Sequence, residues 1–352
     1  MALDIREHVS LKGFTTLAVG GFAKYFVEVK SEEETLEALA FAEIHRAPIF
    51  ILGGGSNILV SDQGFPGIVA HNKILGVASR VEGKEVFVTL GAGEEWDAVV
   101  RRAVEENLAG IECLSGIPGS AGGAVVQNAG AYGQSMDAVV QEVRAVHIPE
   151  KKVEVFDRTR CGFEYRDSFF KKHTGEYCIT HVTLRLTPGG DATLAYHDIK
   201  SYFASEKKPT LKDVRNAVIA IRARKGYVIM SGYECDKTAG SFCKNPVVSE
   251  EKFKKVKDAV RKEQSRGGCR EPWYWSVSPA LVKISAACLI ERAGFRKGYQ
   301  EGSVGISSKH PLSLVNFGGG TAREIAALSY KISREVKDRF GVELAEEIVR
   351  VP

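Results

Sequence analysis

The chain has 352 residues, 44% of them hydrophobic and 26% charged, with a formal net charge of +4. Such a length asks for roughly two to three domains, and such a composition belongs to a folded globular protein rather than a disordered one. The charge is too small for a nucleic-acid surface, the charged opening MALDIREHVSLKG lacks the apolar core of a secretory signal, and no apolar run approaches the ~20 residues of a membrane span.

Residues 23–29 (AKYFVEV) predict a strand. Ser31, with Glu34 three positions on, predicts a capping box for a helix carrying Leu36, Leu39 and Ala42. Residues 48–52 (PIFIL) form a short buried strand that runs into Gly53-Gly54-Gly55-Ser56-Asn57, and this first α/β unit ends near residue 72. A second strand–helix pair follows at 86–90 and 94–106, the helix burying Trp96, Val99, Val100 and Ala103. After a glycine-rich passage at 115–133, β-branched alternation between 139 and 186 predicts several strands, and 200–224 reads as a linking helix. A third unit begins near Gly226, with a loop at 265–272 and a helix around 279–293. Thr321 and Glu324 cap a final helix with Ile325, Leu328, Ile332 and Val336 on one face, and 342–351 predicts a closing strand carrying Glu347. The fold class is α+β. Seven cysteines without a CxxC pair, and eight histidines without HExxH, predict a reducing compartment and no structural metal.

The two glycine passages, 51–57 (ILGGGSN) and 115–133 (SGIPGSAGGAVVQNAGAYG), carry the chemistry signal. Glycine lets a ligand approach backbone amides with no Cβ in the way, and consecutive N–H groups make a concave anion site. Each passage alone is more often just a tight turn. GGGSN is not GxGxxG and no GxxxxGK[ST] occurs, which disfavours a nicotinamide Rossmann site and a P-loop. The residues therefore reach a loop-bound dinucleotide cofactor and go no further.

Six strings together resemble the UDP-N-acetylenolpyruvoylglucosamine reductase (MurB) family: TTLAVGG, GGGSNILVSDQGFPGIV, GIPGSAGGAVVQNAGAYG, CGFEYRDSFFK, AGSFCKNPVVS and SSKHPLSLVN. They keep the family's order over essentially the whole chain. The resemblance implies a two-part FAD-binding region of the vanillyl-alcohol-oxidase/PCMH type, 1–72 and 73–225, and a C-terminal α+β substrate-binding domain, 226–352. It implies non-covalent FAD held by Gly53, Gly54, Gly55, Ser56, Asn57, Ser115, Gly116, Ile117, Pro118, Gly119, Gly122, Gly123, Ala124, Asn128, Gly130, Ala131 and Tyr132. NADPH is the implied hydride donor and UDP-N-acetylenolpyruvoylglucosamine the implied substrate, reduced to UDP-N-acetylmuramate for peptidoglycan. A cytoplasmic monomer is expected, with neither nucleic acid nor membrane insertion.

Reducing an enol ether that bears a carboxylate requires a hydride at the β-carbon, stabilisation of the charge that develops beside the carboxylate, and a proton at the α-carbon. The resemblance assigns these needs to Arg166, Ser241 and Glu347. Taken alone, Arg166 reads as a surface arginine or a partner of Asp167, and Ser241, after Gly240, as a turn residue. Glu347 is expected to act protonated, since an ionised carboxylate would oppose the charge forming beside it. The family's L-E-P-E is Leu344-Ala345-Glu346-Glu347 here, so Glu346 competes for that role, and Cys243 replaces a phenylalanine beside Ser241. Tyr196, Lys225 and Asn245 are implied to bind the sugar nucleotide, Tyr196 placing the chain in the type I subgroup; in isolation they read as a core tyrosine, a surface lysine and a turn cap. The alternative is an oxidase or dehydrogenase of an alcohol or hydroxy acid on the same fold, disfavoured because 53–69 holds no His or Cys for covalent flavin attachment.

Overall fold

The computed structural model describes residues 3–203, 208–229, 237–263, 269 and 271–352. The chain divides into two units that interlace in sequence: Met1–Val9, Phe22–Gly55 and Phe65–Glu234 form the first, and Ser10–Gly21, Ser56–Gly64 and Cys235–Pro352 the second.

In the first unit, Phe22–Val29 runs parallel to Phe65–Asn72, which runs parallel to Ile49–Leu52. The helix Glu32–Ile44 makes the crossover and buries Thr35, Ala38, Leu39 and Ala42. Its cap differs by one residue from the predicted box. Ser31 Oγ accepts the Glu34 N–H as expected, but the Glu34 carboxylate takes the N–H of Lys30 rather than that of Ser31. A second, antiparallel sheet has the order Lys152–Asp157, Val140–His147, Tyr177–Pro188, Glu85–Gly91, Val77–Glu82. Trp96–Glu105 supplies Trp96, Val99, Val100 and Ala103 to its core, as the spacing predicts. The linking region is two helices, His197–Tyr202 and Leu211–Arg224, rather than one.

His71 lies on Phe65–Asn72, 3.7 Å from Glu28 and edge-on to Phe26. Burial, aided by Lys73 and Arg6 and opposed by Glu28, lowers its pKa to about 4. The unfolded chain binds this proton below about pH 6.5 and the folded chain does not, so the stabilising contribution is complete above that pH and is lost as pH falls toward 4. Urea midpoints should therefore fall between pH 6.5 and 4, and His71→Phe should flatten that acid limb. An unchanged slope in the variant would remove His71 from the account.

The second unit packs helices Glu250–Lys262, Ala286–Arg292 and Ala322–Phe340 against short sheets. Thr321 and Glu324 close a full capping box, Gly341 ends the helix at φ 66°, and Ile325, Leu328, Ile332 and Val336 are buried. Asp62 also accepts the N–H groups of Ala322 and Arg323.

Three expectations change here. The helix expected at 279–293 starts only at Ala286, because Leu281–Ile284 is the middle strand of a three-stranded sheet with Val282 and Ile284 facing the core. The closing strand is confined to Val349–Val351: Lys244 N–H binds the Ala345 carbonyl and Glu347 N–H that of Phe242, leaving only three residues to pair with Ile58–Val60. The loop expected at 265–272 lies largely outside the described residues, but Cys269 within it is disulfide-bonded to Cys288 (Cα–Cα 4.7 Å) where reduced thiols were expected. Cys113, Cys161, Cys178 and Cys243 are free and buried. Among the described residues no helix is long and apolar enough to cross a membrane, and no His/Cys/Asp/Glu group could hold a metal.

Candidate active site

The strand Ile49–Leu52 delivers its chain end directly into Gly53–Gly55, and in the first unit this turn meets the second glycine passage backbone to backbone. A Cβ on Gly54 would lie 2.5 Å from Gly119 Cα, and one on Gly53 would lie 2.8 Å from Ser120 Oγ. Gly55 and Gly119 hold φ of 63° and 115°. Among the described residues, the N–H groups of Gly54, Gly55 and Gly119 donate to no protein oxygen. Gly53 and Gly54 thus serve to pack the two turns together, and the cradle is formed by the available N–H groups, which fit a pyrophosphate and so fit FAD.

Not every predicted cofactor residue lies open in that cradle. Residues 121–126 are a short helix rather than loop, so Gly122, Gly123 and Ala124 are helical. Gly122 is spent on close packing, since its Cβ would stand 3.0 Å from that of Ala92. Ser115 is fully buried with its hydroxyl on the Glu112 carbonyl. Gly116 is clamped: its N–H donates to Asp97 (2.5 Å) and its carbonyl accepts from Arg222 Nε (3.1 Å). Asp97 is in turn gripped by both arms of Arg215, each at 2.7 Å. Burial pushes the Asp97 carboxyl upward, but the Arg215 fork and the Gly116 N–H outweigh it and hold the group below the usual aspartate value.

Arg166 sits in a tight turn closed by paired hydrogen bonds between Glu164 and Asp167, and it adopts a left-handed φ of 55°. Asn128 Nδ2 ties the turn down through the Glu164 carbonyl. The guanidinium donates to the Gly130 carbonyl at 2.6 Å and lies 5.7 Å from the Tyr165 ring. Asn128 and Tyr132, on the adjoining glycine passage, also hold positive φ, of 43° and 49°. Gly130, Asn128 and Arg166 thus belong to one corner of the first unit.

Tyr196, Lys225 and Tyr132 form a second corner. Tyr196 precedes the helix His197–Tyr202, remains 44% exposed and packs edge-on to Tyr132 at 5.4 Å. Lys225 ends the helix Leu211–Arg224, lies 5.4 Å from the Tyr132 ring and pairs with Asp198 at 3.1 Å. Burial raises the pKa of both phenols, that of Tyr132 to about 12, while Lys225 opposes the rise at Tyr196. Both hydroxyls are therefore neutral donors at any physiological pH.

In the second unit, Ser241 and Glu347 stand on neighbouring segments, because Glu347 N–H donates to the carbonyl of Phe242 at 2.8 Å. Gly240 takes φ 75°, and Ser241 bridges Ser313 through the backbone. Asn57 braces the same segment: its Nδ2 donates to the Glu347 carbonyl (3.3 Å) and its carbonyl accepts from Val349 (2.9 Å). Glu346 bridges Cys243, and its carboxylate is held by both Nε and Nη2 of Arg350 and by Ser329 Oγ. Burial pushes that carboxyl up, yet Arg350 and Ser329 prevail and keep it low. Glu346 thus has its carboxylate held by Arg350 and Ser329. Asn245 accepts the Ala286 N–H at the start of a helix, so its oxygen serves as a cap. Burial drives the Cys243 thiol up to about 12, which leaves it essentially without thiolate.

Asp198, Asp97 and Arg215 went unnoticed in the sequence. Asp198, two places beyond Tyr196, had a local signal in its position; the Asp97–Arg215 pair is separated by 118 residues and had none.

Residues 233–351 match the C-terminal domain model of UDP-N-acetylenolpyruvoylglucosamine reductase, and 23–155 match an FAD binding domain model. The chain is 37% identical to the UDP-N-acetylenolpyruvoylglucosamine reductase of Thermobifida fusca (strain YX), over 100% of this chain and 99% of that protein. It is 34% identical to the enzyme of that name from Pseudomonas aeruginosa, over 99% of each. The crystal structure of the Thermus caldophilus enzyme superposes with a TM-score of 0.64 at 26% identity, covering 100% of both chains.

Proposed function

This chain belongs to the UDP-N-acetylenolpyruvoylglucosamine reductase family, an FAD-dependent oxidoreductase of peptidoglycan-precursor synthesis, and on that premise we propose how its own residues reduce the enol ether to UDP-N-acetylmuramate. Bound FAD would supply the hydride-transfer chemistry between NADPH and the substrate. Gly53–Gly55 and Gly119 would hold its pyrophosphate, with 1–72 and 73–225 as the cofactor-binding parts, apart from segments 10–21 and 56–64 that fold with the second unit, and 226–352 as the substrate-binding part.

Tyr196 and Lys225 take the sugar nucleotide, the ring covering an apolar surface and the ammonium meeting phosphate in exchange for Asp198. Asn245 contributes its side-chain N–H groups while its oxygen caps the helix. Arg166 stabilises the charge that develops on the substrate's α-carbon and carboxylate, a role its permanently cationic fork suits. Ser241 passes its hydroxyl proton to the α-carbon, and Glu347 stands on the adjoining segment to assist that transfer. The observation that supports this most directly is the backbone hydrogen bond from Glu347 N–H to the Phe242 carbonyl, which sets the main chain of Glu347 beside the residue that follows Ser241. A cytoplasmic monomer extends the reading from the family resemblance.

The purified protein should be yellow, should release FAD on denaturation, and should oxidise NADPH faster once the UDP-enolpyruvyl sugar is added. A preparation that cannot take up flavin, or whose NADPH oxidation ignores the sugar nucleotide, would end the proposal.

A further inference from the structure

Glu112 is a fully buried carboxylate that the chemistry above does not use. It lies in the short turn Glu112–Leu114, immediately before the second glycine passage. Its Oε2 accepts the Gly110 N–H at 2.9 Å, and its Oε1 accepts the N–H of Thr193 at 2.8 Å. Burying an ionisable group is costly unless its oxygens are satisfied, and here backbone donors satisfy both.

Thr193 is held at two further points. Gln134, just past the other end of the glycine passage, donates from Nε2 to the Thr193 hydroxyl at 3.0 Å. Cys113 Sγ donates to the Thr193 carbonyl at 3.5 Å, and Cys113 N–H donates to Gln134 Oε1 at 2.7 Å. Every polar group of Thr193 is thus gripped by residues that bracket the glycine passage. Three residues further on stands Tyr196. Along the way Gly133, at φ 94°, lets Ala195 approach so closely that a Cβ there would be 3.1 Å away.

We propose that Glu112 is a positioning residue: by fixing Thr193, it sets the attitude of Tyr196 toward the sugar nucleotide and ties it to the turn that carries the flavin-side glycines. The inference rests on the reading that Tyr196 contacts the sugar nucleotide, and the test separates the two. Glu112→Gln keeps size and one acceptor but turns an NH2 toward a buried N–H, leaving a donor unsatisfied.

The experiment measures KM for the UDP-enolpyruvyl sugar and the rate of flavin reduction by NADPH in holoenzyme carrying E112Q, Y196A or both. E112Q should raise KM about tenfold, the consequence of one unsatisfied buried donor, and leave flavin reduction unchanged. With Tyr196 already gone, E112Q should add less than about twofold, because a positioning effect has nothing left to position. A KM unchanged by E112Q, a full multiplicative effect in the double variant, or equal slowing of both half-reactions would overturn the inference. A normal KM in Y196A would instead remove the Tyr196 reading itself, and this inference with it. Should E112Q fail to fold, Thr193→Val removes only the hydroxyl that Gln134 holds, and the same comparison applies with an expected rise of roughly fivefold.

Discussion

Replacing Ser241 with alanine should slow reoxidation of the reduced flavin by the sugar nucleotide about 10²–10⁴-fold, the usual worth of a positioned proton donor, while flavin reduction by NADPH stays near the parent rate. The substitution is well suited to this test. Ser241 meets Ser313 through its backbone, the neighbouring Phe242 is anchored to Leu312 and Glu347 by main-chain bonds, and none of these is touched by removing a hydroxyl. Rapid mixing of each half-reaction separately supplies the measurement. If the variant reoxidises at the parent rate, the proton comes from elsewhere and Ser241 leaves the mechanism.

Arg166→Gln should cost about 10²–10³ in the same half-reaction, the scale seen when a donor aimed at developing charge is lost. The turn itself is closed by the Glu164–Asp167 backbone pair and tied by Asn128, none of which the substitution touches. Arg166→Lys should recover part of the loss, since charge returns but the two-pronged geometry does not. Flavin reduction by NADPH is the control, and equal slowing of both halves in Arg166→Gln would point to a damaged cofactor site rather than a missing cation.

Much of the architecture could be read along the chain because its signals are local. The alternation in 86–90 and 140–147, and the four apolar positions of Ala322–Phe340, declare their secondary structure without help from distant residues. Leu281–Ile284 escaped because a short apolar run is equally a buried strand or a helix fragment, and only its two neighbours decide. The helix at Ala121–Val126 escaped because paired glycines disfavour helices on their own; tight packing on Ala92 overrides that preference. The choice between Glu346 and Glu347 was open in the sequence, since adjacent identical residues differ only in the partners that folding brings to each. Arg350 and Ser329 are the partners that folding brings to Glu346. Asp97 with Arg215, and Glu112 with Thr193, are pairs joined across long stretches of chain, for which a linear reading has no signal.

The parallel pairing of Ile58–Val60 with Val349–Val351 has a bearing on how the molecule is made. These strands, and the bond from Asn57 to Glu347 across 290 residues, join stretches that leave the ribosome far apart in time. Segments 10–21 and 56–64 emerge early yet belong to the later unit, so they must wait, partly unpaired, until its last strand arrives. Loop closure over such a span is slow, and the waiting edge is the place where chaperones or aggregation compete with native assembly.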